Sequence, residues 1–224
     1  MTRARLALLL LACAGACAPV VTHGPRVEPG TQIVVTGGAA RPLCDDCTGG
    51  LLPQISVGMR GGHAATELRA GFSMGVHVAA NVASSEMDAY VQAPRRGGWD
   101  AGAGLLLGPM QGMPYVQLGR MGGDGSGLYT TQGLALHARH SLRLGHHHPQ
   151  PGAPPDTAAG WVRPRYWAPT LAFRGPGRNA MHMYLSGAFG TAEEFTEFEG
   201  GVSRRTARRP VRMLVAGFVY EFGR

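Results

Sequence analysis

Few side chains in this sequence have the types and spacing to do chemistry. Cys44-Asp45-Asp46-Cys47 is a lone CxxC. In an oxidising compartment such a pair closes a small local disulfide. A redox dithiol would need a helix N-terminus in a βαβ setting, and zinc would need two more ligands, His63 being the nearest histidine. Disulfide, metal ligands and unpaired thiols are therefore the readings, with the disulfide the simplest. His146-His147-His148 precedes Pro149-Gln150-Pro151-Gly152. Adjacent residues of an extended chain point to alternate sides, so this trio reads as a solvated loop able to capture a transition metal only weakly. His137 and His140 fall on opposite faces of a strand and are no ligand pair. Gly71-Phe72-Ser73-Met74-Gly75 matches Gly-x-Ser-x-Gly, but that motif works at a sharp strand-to-helix turn, and here it lies inside a strand. Ser56, Ser73, Ser141 and Ser186 lie among histidines and acids, so a Ser–His–acid hydrolase of lipids is the least favoured reading. The acidic run 193–199 reads as a solvated hairpin tip rather than a calcium loop. No catalytic residue, metal or cofactor is expected.

The elements that carry these residues repeat every second position. Across residues 66–82, Leu68, Ala70, Phe72, Met74, Val76, Val78, Ala80 and Val82 share one face. Glu67, Arg69, Gly71, Ser73, Gly75, His77 and Asn81 share the other. Strict alternation marks a strand with one apolar face, and this run exceeds the roughly 5–6 residues of an ordinary strand. Similar runs begin at Gln54, Glu86, Trp99, Tyr115, Leu128, Tyr166, Met181, Thr196 and Val211, with Gly- and Pro-rich turns between them. The count is roughly ten strands and no helix. Counted from residue 53, ten strands put the longest insertion, near 145–160, at the end where the chain enters.

Composition narrows the classes. The 224 residues include 35 glycines and 16 prolines, and charged residues make up 16%, against about 25% in ordinary soluble domains. Apart from a short N-terminal run no segment is apolar enough for a membrane helix. The net charge of +7 comes from arginine alone, as lysine is absent. These arginines are spread singly except around Arg204, Arg205, Arg208, Arg209 and Arg212. No nucleic-acid motif accompanies them, so nucleic acid is not expected as a partner, and anionic lipid head groups suit a basic rim better.

The N-terminus reads as an export address: Arg3 and Arg5, an apolar core over residues 6–12, then small residues. Ala14-Gly15-Ala16-Cys17 resembles the lipobox of bacterial lipoproteins. The resemblance implies a signal peptide over 1–16 and a diacylglycerol on Cys17, with Cys13 a second candidate. The other reading is ordinary cleavage with an incidental cysteine. Residues 17–50, rich in Pro, Gly and Thr, read as a lipid-anchored tether with one possible strand over 32–36, leaving 51–224 as the folded domain.

A long antiparallel meander must protect its edges, and closure removes them. The expected fold is all-β: an antiparallel up-and-down barrel of about 8–10 strands. In a soluble barrel the apolar face points inward; in a membrane barrel it points to lipid. Long strands and aromatics near their ends (Trp99, Tyr115, Tyr129, Trp161, Tyr166, Trp167, Phe189, Phe195) favour the membrane. Leu214, Ala216, Phe218, Tyr220 and Phe222 close the chain at every second position. This resembles the C-terminal assembly signal of bacterial outer-membrane β-barrel proteins, and the resemblance covers residues 53–222 as pattern. It implies an outer-membrane location with membrane lipid as partner, and a structural, adhesive or narrow-pore role. It also implies a polar interior that includes Glu67, Arg69, His77, Glu86, Asp88, Asp100, His137, Arg139 and His182. The alternative is a periplasmic lipoprotein whose soluble barrel holds a small apolar ligand.

Overall fold

A computed structural model describes residues 21, 23–43, 51–64, 69–79, 82–108, 111–137, 140–142, 159–177, 179–197 and 203–223. Its strands are β1 (Gly30–Pro42), β2 (Leu52–Ala64), β3 (Arg69–Ala79), β4 (Val82–Gln92), β5 (Asp100–Leu107), β6 (Gln111–Met121), β7 (Gly127–His137), β8 (His140–Leu142), β9 (Ala159–Arg174), β10 (Met181–Glu197) and β11 (Ser203–Gly223). Each pairs antiparallel with the next around the ring, and β1 pairs with β11 from Gln32↔Gly223 to Pro42↔Met213. The short β8 extends the edge that β7 presents to β9: Ala135 pairs with Tyr166 and His140 with Val162, one residue out of step. The two count as one stave, giving a closed ten-stranded antiparallel barrel. Closure leaves no free edge to template aggregation.

The expected number of strands stands, but two of its members change. Residues 30–42, expected within a tether, form the barrel strand that closes the ring, so the folded unit begins well before residue 51. In β1 the run Gly37-Gly38-Ala39-Ala40 puts small residues on both faces, which hides the alternation. The run expected at 196–205 is divided: its first two residues end β10 at Glu197, and its last three begin β11, which continues through Pro210 to take in the run expected at 211–222. Similarly, the single strand expected over 66–82 ends at Ala79, which pairs with Val82. Val82 therefore starts the next strand, β4, instead of ending β3.

With β1 included, both termini of the barrel lie at one end, together with the connections 65–68, 93–99, 122–126 and 175–180. The other end carries 43–51, 80–81, 108–110, 198–202 and the longest connection, 143–158. The long insertion is thus opposite the termini, correcting the parity expected from a start at residue 53.

The apolar side chains face outward. Phe72, Met74 and Val76 are 42%, 48% and 53% exposed, and Ile55, Leu118, Leu134, Leu171, Met183 and Phe218 continue the band around the wall. Along β11 this band runs from Leu214 to Phe222, about 27 Å of strand and about 20 Å along an axis tilted by about 40°. That is close to the apolar height of about 25 Å in outer-membrane barrels. Trp167 and Phe189, with ring centroids 6.1 Å apart, stand at one margin; Tyr220 and Phe222, 4.4 Å apart, stand at the other.

The inner face mixes tyrosines with small and polar residues. Tyr115, Tyr129 and Tyr166, expected in interfacial girdles, are instead buried inside. Their parity places them there, and the lumen supplies partners for the hydroxyls of Tyr115 and Tyr129. Glycines make the room: Gly71 lies beneath the Tyr90 ring and Gly104 beneath Tyr115, so a Cβ at either position would overlap the phenol.

Candidate functional site

Of the chain before β1, residues 21 and 23–29 are described, and they turn back into the lumen, where Val21, His23, Pro25 and Val27 are buried. This segment has no period of its own. It is held by wall side chains that satisfy its backbone and polar groups, as any buried segment requires. Gln117 Nε2 donates to the His23 carbonyl at 2.6 Å, and the Val27 amide donates to Gln92 Oε1 at 2.8 Å. Arg26 Nη1 donates to the Gly122 carbonyl at 2.8 Å, and its Nη2 lies 3.6 Å from Asp100 Oδ2.

His23 is the centre of this plug. Its ring stacks on Tyr90 with centroids 3.8 Å apart. Nδ1 lies 2.8 Å from the Gly24 carbonyl oxygen, and Nε2 lies 2.8 Å from both Asp88 Oδ2 and Tyr115 Oη. The Tyr115 hydroxyl donates to Asp88 at 2.8 Å. Asp88 on β4 and Tyr115 on β6 thus clamp one imidazole from two strands.

Nearer the terminal end, Glu221 gathers a second cluster. It pairs with Arg60 of β2, and its Oε2 lies 3.1 Å from Arg174 Nη2 of β9 and 3.1 Å from His182 Nε2 of β10. Tyr129 Oη on β7 lies 3.0 Å from His182 Nδ1. Because Glu221 sits on the last strand, the cluster ties β11 to strands on both sides of the β1–β11 seam. Arg174 also reaches the plug, with Nη2 4.0 Å from Glu28 Oε1.

Of the residues expected inside, Asp88, Asp100 and His182 are buried in the lumen. Glu86 is half-buried and lines, with Ser56, Arg60, Ser73 and Asp88, a cavity of about 40 Å³, room for about one water molecule. Arg69 is exposed at the start of β3, where it joins Arg26, Glu28, Arg95 and Asp100 around a mouth of about 700 Å³ at the terminal end. His77 falls on β3 opposite Ser56 and Ser84, and His137 ends β7. Glu67, Arg139, Cys17, Cys44, Cys47 and the tract His146-His147-His148 lie outside the described residues.

Sequence reasoning missed His23, Arg26, Arg60, Gln92, Gln117, Arg174 and Glu221. For the wall residues a signal existed: each falls on the polar parity of its strand. For the plug there was none, since a Pro/Gly-rich segment reads the same whether it is a leash or a stopper. The Ser73 motif lies mid-strand on β3, not at a strand-to-helix turn. The soluble-barrel alternative required the Leu, Met and Val face to line a cavity; that face is the exterior, so this reading is not supported.

No family model and no curated protein matches the sequence. Among solved structures, the chain is similar to the COG4313 outer membrane channel from Pseudomonas putida F1, at 11% identity and a TM-score of 0.47, covering 91% of this chain and 100% of that one. It is also similar to the β domain of the Bordetella autotransporter BrkA, at 12% identity and a TM-score of 0.38, covering 87% and 99%. The outer membrane protein AlkL, in lipid bilayers, matches at 10% identity and a TM-score of 0.35, covering 92% and 95%. The chain is a closed ten-stranded antiparallel barrel with an apolar exterior and a polar lumen in which residues 21 and 23–28 are seated.

Proposed function

We propose that this chain is a bacterial outer-membrane β-barrel forming a narrow pore for small polar solutes, closed at rest by residues 21–29. The observation that carries the reading is the distribution of polarity: Leu, Met, Val and Phe cover the outside, while Asp88, Asp100, Arg60, Arg174 and Glu221 are buried within. In water such an exterior would be one continuous sticky surface; in a bilayer it is the required face. The end holding the termini faces the periplasm, and the 143–158 connection faces outward.

Acylation of Cys17 belongs to the same proposal. The stretch from Cys17 to Val21 spans at most about 14 Å at about 3.5 Å per residue, so an acyl chain competes with a seated plug. An anchored chain and a closed lumen are then alternative states, and labelling with a fatty acid reports which dominates in cells.

The test is conductance in planar bilayers. Native protein should insert as a heat-modifiable barrel with rare, small openings, and deletion of residues 18–29 should give a steady conductance. A barrel that inserts but stays silent after the deletion removes the pore and leaves a structural or adhesive role. A protein that carbonate washes from membranes once Cys17→Ala removes the anchor would refute membrane insertion altogether.

A further inference from the structure

We propose that Arg41, Arg165, Arg208 and Arg212 form an exterior binding site for the phosphate groups of glycolipid in the outer leaflet; the site rests on the membrane-barrel reading above. All four side chains are exposed. Their parity places them on the outer face: Arg208 and Arg212 alternate with Leu214 and Phe218, Arg165 with Trp167 and Leu171, and Arg41 with Ile33.

The pairing register sets their height. Arg41 pairs with Leu214, and Arg212 with Phe189, which pairs with Trp167. One outward position further, Thr191 stands between Pro210 and Arg165; one further again, Glu193 stands between Arg208 and Arg163. Over the adjacent strands β9, β10, β11 and β1, the wall therefore changes from apolar to basic at and just beyond the Trp167–Phe189 pair. Here β9, β10 and β11 are also the longest strands, at 16, 17 and 21 residues. The patch is one-sided, because toward the same end β2, β3, β5 and β7 present Ile55, Val78, Leu107 and Leu136 outward.

Guanidinium groups at the edge of the hydrocarbon are costly among acyl tails and find their best partner in a phosphate, which accepts two parallel N–H bonds from one fork. Glu193 lies within the patch between two arginines and spaces them, leaving net positive charge. Opposite the termini, this margin meets the leaflet whose glycolipid carries phosphates on its sugar.

The experiment measures lipid A retained per folded barrel after detergent exchange, by phosphorus assay, with heat-modifiable migration as the check of folding. Native protein should retain bisphosphorylated lipid A and lose dephosphorylated lipid A and phosphatidylcholine. Arg165→Gln, Arg208→Gln and Arg212→Gln should each weaken retention about fivefold, cumulatively. Inorganic phosphate at matched ionic strength should fail to displace the lipid, since a phosphate anchored in a leaflet is held at the arginines by its acyl chains. Equal retention of phosphorylated and dephosphorylated lipid by native protein, or displacement by inorganic phosphate, overturns the site while leaving the barrel intact. A chain that inserts into no vesicle overturns the membrane reading and the site together.

Discussion

His23 Nε2 stands 2.8 Å from Asp88 Oδ2, joining a residue that precedes the first strand to the middle of the fourth. This contact converts an N-terminal extension into part of the lumen, and it has consequences that can be measured.

If His23 and Asp88 hold the plug, weakening either should open the pore before it unfolds the barrel. Asp88→Asn keeps the shape and removes the charge, at a cost of about 1.5–3 kcal/mol for a charged hydrogen bond. His23→Ala removes the stack on Tyr90 as well. Both variants should show more frequent openings in single-channel recordings while the barrel still migrates as a folded band. Unchanged recordings for both would separate the plug from conduction.

Glu221 is surrounded by Arg60, Arg174 and His182, all buried. Glu221→Gln leaves two guanidinium groups without their carboxylate, and breaking a buried pair from one side costs about 3–5 kcal/mol. The temperature at which the folded band converts to the unfolded one should fall markedly. Loss should be smaller for Glu28→Gln, whose carboxylate is partly exposed and 4.0 Å from Arg174.

The apolar outer wall gives a sharper discrimination. Val76→Arg places a charge in the centre of the apolar band, where arginine costs about 2–4 kcal/mol in a bilayer. On a water-exposed strand the same change is near neutral, within about 0.5 kcal/mol. Urea titration of the folded barrel in vesicles measures the difference, and a neutral result would contradict the membrane setting of this face.

Gly104→Ala should force Tyr115 away from Asp88, since the new methyl overlaps the phenol, with a loss of about 1–3 kcal/mol typical of overpacking. Gly61→Ala meets nothing within 4 Å and should leave both the heat-modifiable transition and conductance unchanged. Similar losses in the two variants would mean that strand propensity, rather than room for the tyrosine, sets the effect.

The sequence by itself determined the class of fold, the strand-by-strand alternation and which residues share a face. Those follow from the period of two, a local property that Thr130, Ser186 or Leu171 carries wherever its strand ends up. It did not determine which face is concave. That depends on the pairing of β1 with β11, a contact between opposite ends of the chain, and the choice sends Met74 to the outer surface and Asp88 to the lumen together. The tertiary structure also decided the fate of the aromatics: Tyr115 and Trp167 look alike near strand ends, yet opposite parity buries one beside Asp88 and exposes the other beside Phe189. The plug was decided there alone. His23, Arg26 and Val27 have no period to read, and their place comes from donors and acceptors on four separate elements, Asp88 and Gln92 of β4, Asp100 of β5, Gln117 of β6 and the Gly122 carbonyl in the turn that follows, that only the folded barrel brings around them.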